Sequence, residues 1–190
     1  LFWVSAVLIL LILVVAIAPG FFAPVSPTAN CLLANSNGGP APGHPFGFTR
    51  QGCDVYSRVI HGAQASVLVG VVATVMVAVF GSIVGAIAGF YGGILDAVLS
   101  RVADIFFAIP TVLGAIVFMS VLPERTPIVV ALVIAMFAWP QIARIMRGAV
   151  LTAKQADYVV ASIALGVSRW RVLLRHVLPN AIAPVIAVAT

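Results

Sequence analysis

Five stretches of this chain carry no charged side chain in their middles, and no other feature narrows its fold so far. Leu1–Ala18 is an unbroken apolar run. Ser66–Ala88, Ile105–Leu122 and Ile128–Ile142 follow, and a fifth run starts at Val177. A helix rises about 1.5 Å per residue, so some 20 apolar residues cross about 30 Å of hydrocarbon. Only 8% of the residues are charged and 63% are hydrophobic, against about 25% charged in a soluble domain. A water-soluble fold of this size cannot cover its surface with so few charges. The expected class is therefore an all-α integral membrane protein. A rival reading of the first run is a signal peptide, because Ala16-Ile17-Ala18 resembles a cleavage site. That rival requires a soluble remainder, and the remainder is not soluble.

Between the first two runs, Gly20–Gln64 holds many of the prolines and glycines, both cysteines, and only Arg50, Asp54 and Arg58 as charges. It is too long for a simple turn and reads as an ordered extramembrane loop. Within it, Cys53–Gly62 reads as a short interfacial helix with Val55, Val59 and Ile60 on one side. In the second run Gly81, Gly85 and Gly89 recur every fourth residue, a spacing that lets helix backbones approach closely; the bland reading is ordinary glycine tolerance. Gly89–Gly93 turns the chain into an amphipathic segment, Ile94–Asp104, where Arg101 and Asp104 stand three apart and can pair. A kink is expected at Pro110 in the third run, and Pro140 lies near the end of the fourth. Leu1 begins inside an apolar run and Ala181–Thr190 stops without a polar flank, so the architecture is expected to extend past both ends.

The net charge of +5 is unevenly spread. Six of the ten Lys/Arg fall between Arg144 and Arg175. A nucleic-acid binder can show such a cluster, but here it lies between hydrophobic runs, and the positive-inside rule accounts for it better. Parity then places 144–176 and 89–104 in the cytoplasm, with the amino terminus, and places 20–64 and 123–127 outside. The expected organisation is a first transmembrane helix at 1–19, an extracytoplasmic loop at 20–64, and a core at 65–190.

One polar stretch breaks the pattern: "ADYVVASIALGVSRWRVLLRHVLPN", Ala156–Asn180. It reads as two short helices. Asp157–Leu165 forms the first, with Asp157 near its start, where negative charge suits the helix dipole. Gly166 suits the left-handed position that ends a helix, and Ser168 is a good N-cap for the second. Trp170, Leu173, Leu174 and Val177 then form an apolar stripe. Pro179 reads as the first residue of the next membrane helix. A surface helix whose arginines meet anionic lipid is the bland alternative. The glycine hinge and the tight linkage to two spans favour a docking element.

At these residues the sequence resembles a known family. Gly166 followed thirteen residues later by Pro179, within "ASIALG…VLPN", is similar to the cytoplasmic loop of binding-protein-dependent ABC importer permeases. "HPFGFTRQGCDVYSRVIHGAQASVLVG" (His44–Gly70) and "AGFYGGILDAVLSRVADIFFAIP" (Ala88–Pro110) resemble the dipeptide/oligopeptide/nickel branch. The chain departs from the family pattern at Val160, where the loop usually has Glu, and at Ser162, where it has Ala. It departs again at Phe48-Thr49-Arg50, and at Cys53 in place of Arg.

The resemblance implies a type I ABC importer transmembrane domain of six helices, about five of them visible here. It implies a permease subunit that forms half of a path for short peptides, in the cell (inner or plasma) membrane of a prokaryote. The implied partners are a second homologous permease in a heterodimer, two ATP-binding subunits, an extracytoplasmic substrate-binding protein and the lipid bilayer. No nucleic acid, metal or bound cofactor is expected, and ATP with Mg belongs to the partner subunits. The implied coupling residues are Asp157, Tyr158, Ala161, Gly166, Ser168, Trp170 and Arg171. Nickel, haem or glutathione remain open as cargo.

Three further readings bear on function. The chain is not expected to be an enzyme: a P-loop needs Gly-Lys-Ser/Thr, and the only lysine, Lys154, stands between Ala153 and Gln155. Asp54, Ser57 and His61 resemble a triad, but a solvated helix face explains that spacing better. An ion-coupled secondary transporter would carry ionisable groups near mid-membrane, and the first, second and fourth runs have none there. Finally, Cys31 and Cys53 both fall outside by this topology, where a disulfide is permitted; the alternative is two unpaired buried thiols.

Overall fold

The charge-free runs are helical, as backbone groups that lose water must be satisfied within their own segment. The computed structural model describes residues 2–29 and 31–189, and these fall into two compact units that divide at Gly70 and Val71.

The first unit opens with α1, Phe2–Ile17, about 24 Å long at the helical rise. A single turn, α2, follows at Pro19–Phe22, with proline at its start, where a missing N–H costs nothing. The chain then runs as a loop, with one 3₁₀ turn at Leu33–Asn35, as far as Asp54. A disulfide joins Cys31 to Cys53. Gly52 beside it has φ +73°, and a Cβ there would overlap the Leu32 carbonyl, so only glycine fits. Asp54 ends the loop by accepting from the Ser57 N–H at 2.9 Å, the capping geometry of a helix start.

That cap begins α3, Val55–Tyr91, a continuous helix of 37 residues. The separate interfacial helix expected at Cys53–Gly62 is therefore absent. Val55–Gln64 forms the first turns of α3, because the helix capped by Asp54 runs through Gly62 without a break.

In the second unit Gly92 and Gly93, at φ +67° and +60°, turn the chain from α3 into α4, Gly93–Ala108. Pro110 does more than kink the third run: α4 and α5 (Thr111–Val121) meet at 80° across Ile109–Pro110. Pro110 has no N–H to continue the ladder and forces an extended residue before it. The kinked span expected at Ile105–Leu122 is thus a sharper break, with different bounds. Its first residues belong to α4, and α5 alone is about 16 Å long.

α6 spans Pro127–Ala153. Thr126 caps it, accepting from the Val129 N–H at 3.3 Å. Pro140 sits mid-helix, so the fourth run does not end near Ile142 but continues through Arg144 and Arg147. α7 (Asp157–Ala164) and α8 (Arg169–Val172) follow. A π turn at Leu173–Val177 then leads without a stop into α9, Leu178–Ala181. Pro179 was expected to open a new helix; it lies inside this continuous rod. The wider π turn, in which the Leu178 N–H reaches the Leu173 carbonyl, accommodates the proline's missing donor. α10, Ala183–Ala189, bends away at 49°.

Gly81, Gly85 and Gly89 of α3 face α6. A Cβ on Gly81 would stand 2.8 Å from the Trp139 carbonyl, and one on Gly89 would stand 2.9 Å from that of Arg147. One on Gly85 would overlap the Ala143 carbonyl. Along this seam the buried core gathers Ala86, Ile142, Met146 and Val150 with Val159, Val172 and Val177. Among the described residues two helices, α3 and α6, are long and apolar enough to cross a membrane, or up to four spans if each bent pair counts as one; α1 is shorter.

Candidate functional site

The polar stretch forms its two short helices around a defined hinge. At the end of α7 the Val167 N–H reaches the Ser162 carbonyl at 3.1 Å, and the Gly166 N–H reaches that of Ile163 at 3.0 Å. This paired closure, with Gly166 at φ +81°, is the Schellman arrangement, in which a left-handed residue satisfies the last carbonyls of a helix. Ser168 stands at the N-cap position of α8, but its side chain makes no capping bond. Asp157 occupies the first turn of α7, after Ala156.

α7 touches the core at one point. Val159 is fully buried among Met146, Val150, Val172 and Val177. Tyr158, Val160, Ala161, Ile163 and Leu165 are exposed around it, Leu165 at 84%. Val160, the departure from the resembled loop, is 56% exposed. Asp157, Gly166, Ser168, Trp170 and Arg171 are exposed as well. All seven coupling residues named from the sequence are thus exposed.

The apolar stripe falls out of register. Val172, Leu173 and Val177 are buried, whereas Trp170 and Leu174 are 56% and 43% exposed. A π turn brings i and i+5 to one side, so Val172 and Val177 take the buried face that ordinary helical spacing would give to others. Trp170 instead borders an apolar groove of about 330 Å³ with Val79 and Ile83 of α3.

Sequence reasoning missed an ionic lattice between α4 and α6. Arg147 grips Asp96 with two bonds, of 2.6 and 2.7 Å, and Ser100 adds a third at 3.2 Å. Such a forked pair fixes orientation as well as distance. Arg144 takes Asp104 at 2.7 Å and lies 3.9 Å over the Phe107 ring, while Arg101, the partner expected from spacing, stands at 3.8 Å. Lys154 donates to the Gly89 carbonyl at 2.7 Å, closing the end of α3. The available signal was only that two aspartates, Asp96 and Asp104, sit in one amphipathic segment and two arginines, Arg144 and Arg147, one turn apart in another. Three of the six clustered basic residues thus serve packing. Arg169, Arg171 and Arg175 are exposed, with no ion pair among the described residues.

The triad look-alike dissolves into structure. Asp54 Oδ1 lies 3.1 Å from His44 Nδ1, and its carboxylate caps α3. The Ser57 hydroxyl donates to the Val25 carbonyl, and His61 Nδ1 meets the Ser57 carbonyl at 3.0 Å, not its hydroxyl.

Residues 81–190 match the family described as binding-protein-dependent transport system inner membrane component. The chain is 38% identical over 185 residues to the oligopeptide transport system permease protein OppC of Bacillus subtilis (strain 168), covering 97% of this chain and 59% of that protein. It is 37% identical over 186 residues to the glutathione transport system permease protein GsiD of Shigella dysenteriae serotype 1 (strain Sd197), covering 98% and 61%. GsiD of Escherichia coli O157:H7 is similar at 36% over 186 residues, with 98% and 61% covered. The chain spans about three fifths of the length of the curated relatives it matches.

Proposed function

The chain belongs to the binding-protein-dependent transport system inner membrane components, and from that premise we propose that it is a permease subunit of an ATP-driven importer of short peptides. The observation that carries this reading is the hinge: α7 is held by one buried plug, Val159, and closed by Gly166, while it offers an apolar surface outward. A soluble chain would bury such a surface; here it is free for a neighbouring subunit. Docked there, an ATP-binding subunit moves α7 as a rigid piece. Val159 passes the displacement to Met146 and Val150 of α6, and the spans rock between two arrangements. The energy source lies in the partner subunits, which hold ATP and Mg.

Val160 makes this contact apolar where the resembled loop offers a carboxylate. Tyr158, Ala161 and Leu165 extend it, and Trp170 and Arg171 flank it. The remaining assembly follows the same reading: a second, homologous permease completes the path, and a binding protein delivers cargo on the far side. The disulfide supports placing residues 23–54 on the oxidising, extracytoplasmic side. The basic residues from Arg144 to Arg175 support the opposite side for the hinge, which puts the amino terminus in the cytoplasm. Short peptides are favoured as cargo because the names of the relatives speak of oligopeptide and glutathione, both short amide-linked chains.

Crosslinking in the full transporter tests the docking. Val160→Cys and Leu165→Cys are each expected to crosslink to an ATP-binding subunit, with a yield that changes on adding nucleotide. Absence of a crosslink from both positions, in a complex that imports peptide into proteoliposomes, refutes the role given to α7.

A further inference from the structure

The two long helices each carry one uncharged polar residue near their midpoint: Thr74 in α3 and Gln141 in α6. Both side chains are exposed, and neither has a hydrogen-bond partner among the described residues. Thr74 lies within an apolar stretch and Gln141 near the end of one, one turn before Arg144, and a polar group facing lipid there is costly. They border the same cavity, about 250 Å³, which Val77 and Ala138 also line.

A second observation points to the same place. Gln141 also borders a second cavity, of about 170 Å³, together with Pro110 and Thr111. This is the 80° break between α4 and α5. A broken helix leaves backbone donors and acceptors without ladder partners, and at membrane depth that is tolerated only where protein or a water-filled cavity covers them. An unpartnered glutamine, an unpartnered threonine and an interrupted helix therefore converge on one level of the bundle.

We propose that Gln141, with Thr74 and the Ile109–Pro110 break, forms a polar waist on the translocation path that hydrogen-bonds the backbone amides of a peptide in transit. This rests on the peptide-import reading above. A carboxamide offers two donors and an acceptor, the complement of a peptide group, and it can bind the main chain of any sequence. Neutral bonds of this kind are individually weak, so they guide a substrate without trapping it. The nearest charge, Arg144, lies one turn further along α6 and is paired with Asp104 of α4, as Arg147 is with Asp96.

The test uses the complete transporter in proteoliposomes, with its partner permease, ATP-binding subunits and binding protein. Gln141→Leu is expected to lower import of a neutral tripeptide about tenfold while leaving assembly and nucleotide hydrolysis near wild type; Gln141→Asn is expected to restore most of it. Gln141→Cys adds an independent readout, because the chain's own cysteines are bridged. A membrane-impermeant thiol reagent is expected to modify it, and excess peptide during turnover to slow the reaction. An unlabelled Gln141→Cys, or wild-type import by Gln141→Leu, overturns the waist and makes Gln141 a contact between helices. If the wild-type complex itself imports no peptide, the peptide reading falls instead.

Discussion

Two segments of this protein join long helices, and they are held by opposite means. The loop at residues 23–54 buries almost no apolar side chain beyond Ala23 and Cys53. Its order comes from a disulfide, from left-handed backbone at Gly43, Gly47 and Gly52, and from hydroxyls that reach back to carbonyls, such as Ser36 to Arg50 at 2.8 Å. The hinge at 154–168 has no covalent tie. It is ordered by helices and by one plug, Val159, set into a core that α6 and the rod after Ser168 build together. A segment without a core of its own needs a staple. A segment that can borrow a core needs only a residue to insert, and that insertion can carry motion. The two segments share a left-handed glycine, but Gly52 is required by a neighbouring carbonyl while Gly166 stands in open space. At Gly166 only the backbone conformation excludes other residues.

Four substitutions can break this contrast or sharpen it. The largest effect is expected from Val159→Asp, which buries a charge with no partner and costs about 4 kcal/mol. Hydrogen exchange in the assembled transporter is expected to show Asp157–Ala164 opening to solvent; continued protection would mean that α7 does not hang on its plug. Next comes Cys31→Ser. Losing the bridge, at a sequence separation of 22, is expected to cost the loop about 3 kcal/mol in the chain-entropy model. Limited proteolysis within residues 23–54 reads that loss, and an unchanged cleavage rate would show that the hydroxyl and turn contacts suffice. Gly166→Ala is expected to cost about 1 kcal/mol, the penalty for a Cβ in left-handed backbone. Crosslinking from Leu165→Cys in that background, with a lower nucleotide-dependent change in yield, is the measurement. The smallest effect belongs to Ser168→Ala, within about 0.5 kcal/mol, since the hydroxyl makes no capping bond. A loss of about 1 kcal/mol, the usual worth of an N-cap, would reveal a capping bond formed only in the assembled transporter.

Much of the hinge was legible in the sequence, because its signals are local. Gly166 ends α7 through backbone geometry that almost any other residue resists, and Asp157 falls in the first turn, where the dipole favours it. The turn at Gly92–Gly93 was readable for the same reason. Two expectations that needed a distant neighbour also held, the Cys31–Cys53 bridge and the close approach of Gly81, Gly85 and Gly89 to α6, but others failed. The stripe Trp170–Leu173–Leu174–Val177 assumed ordinary helical spacing, and the π turn before Pro179 moved Val172 inward and Trp170 outward. Arg101 was given Asp104 on spacing within one helix, yet Arg144, forty residues away along the chain, makes the closer bond. Pro110 and Pro140 illustrate the limit most directly. Both are prolines in apolar runs; one breaks its helix by 80° and the other stays inside a continuous α6.

By itself, the sequence determined that the chain is helical and destined for lipid. Too few charges leave no soluble alternative, and long apolar runs must satisfy their own backbone. It also determined where the backbone turns left-handed, since that depends on a missing Cβ and on nothing distant. Only the tertiary structure decided which arginine meets which aspartate, which proline bends its helix, and which of several valines becomes the plug. Those outcomes depend on side chains brought together from far apart in the chain, where packing outweighs the small preferences that spacing alone can express.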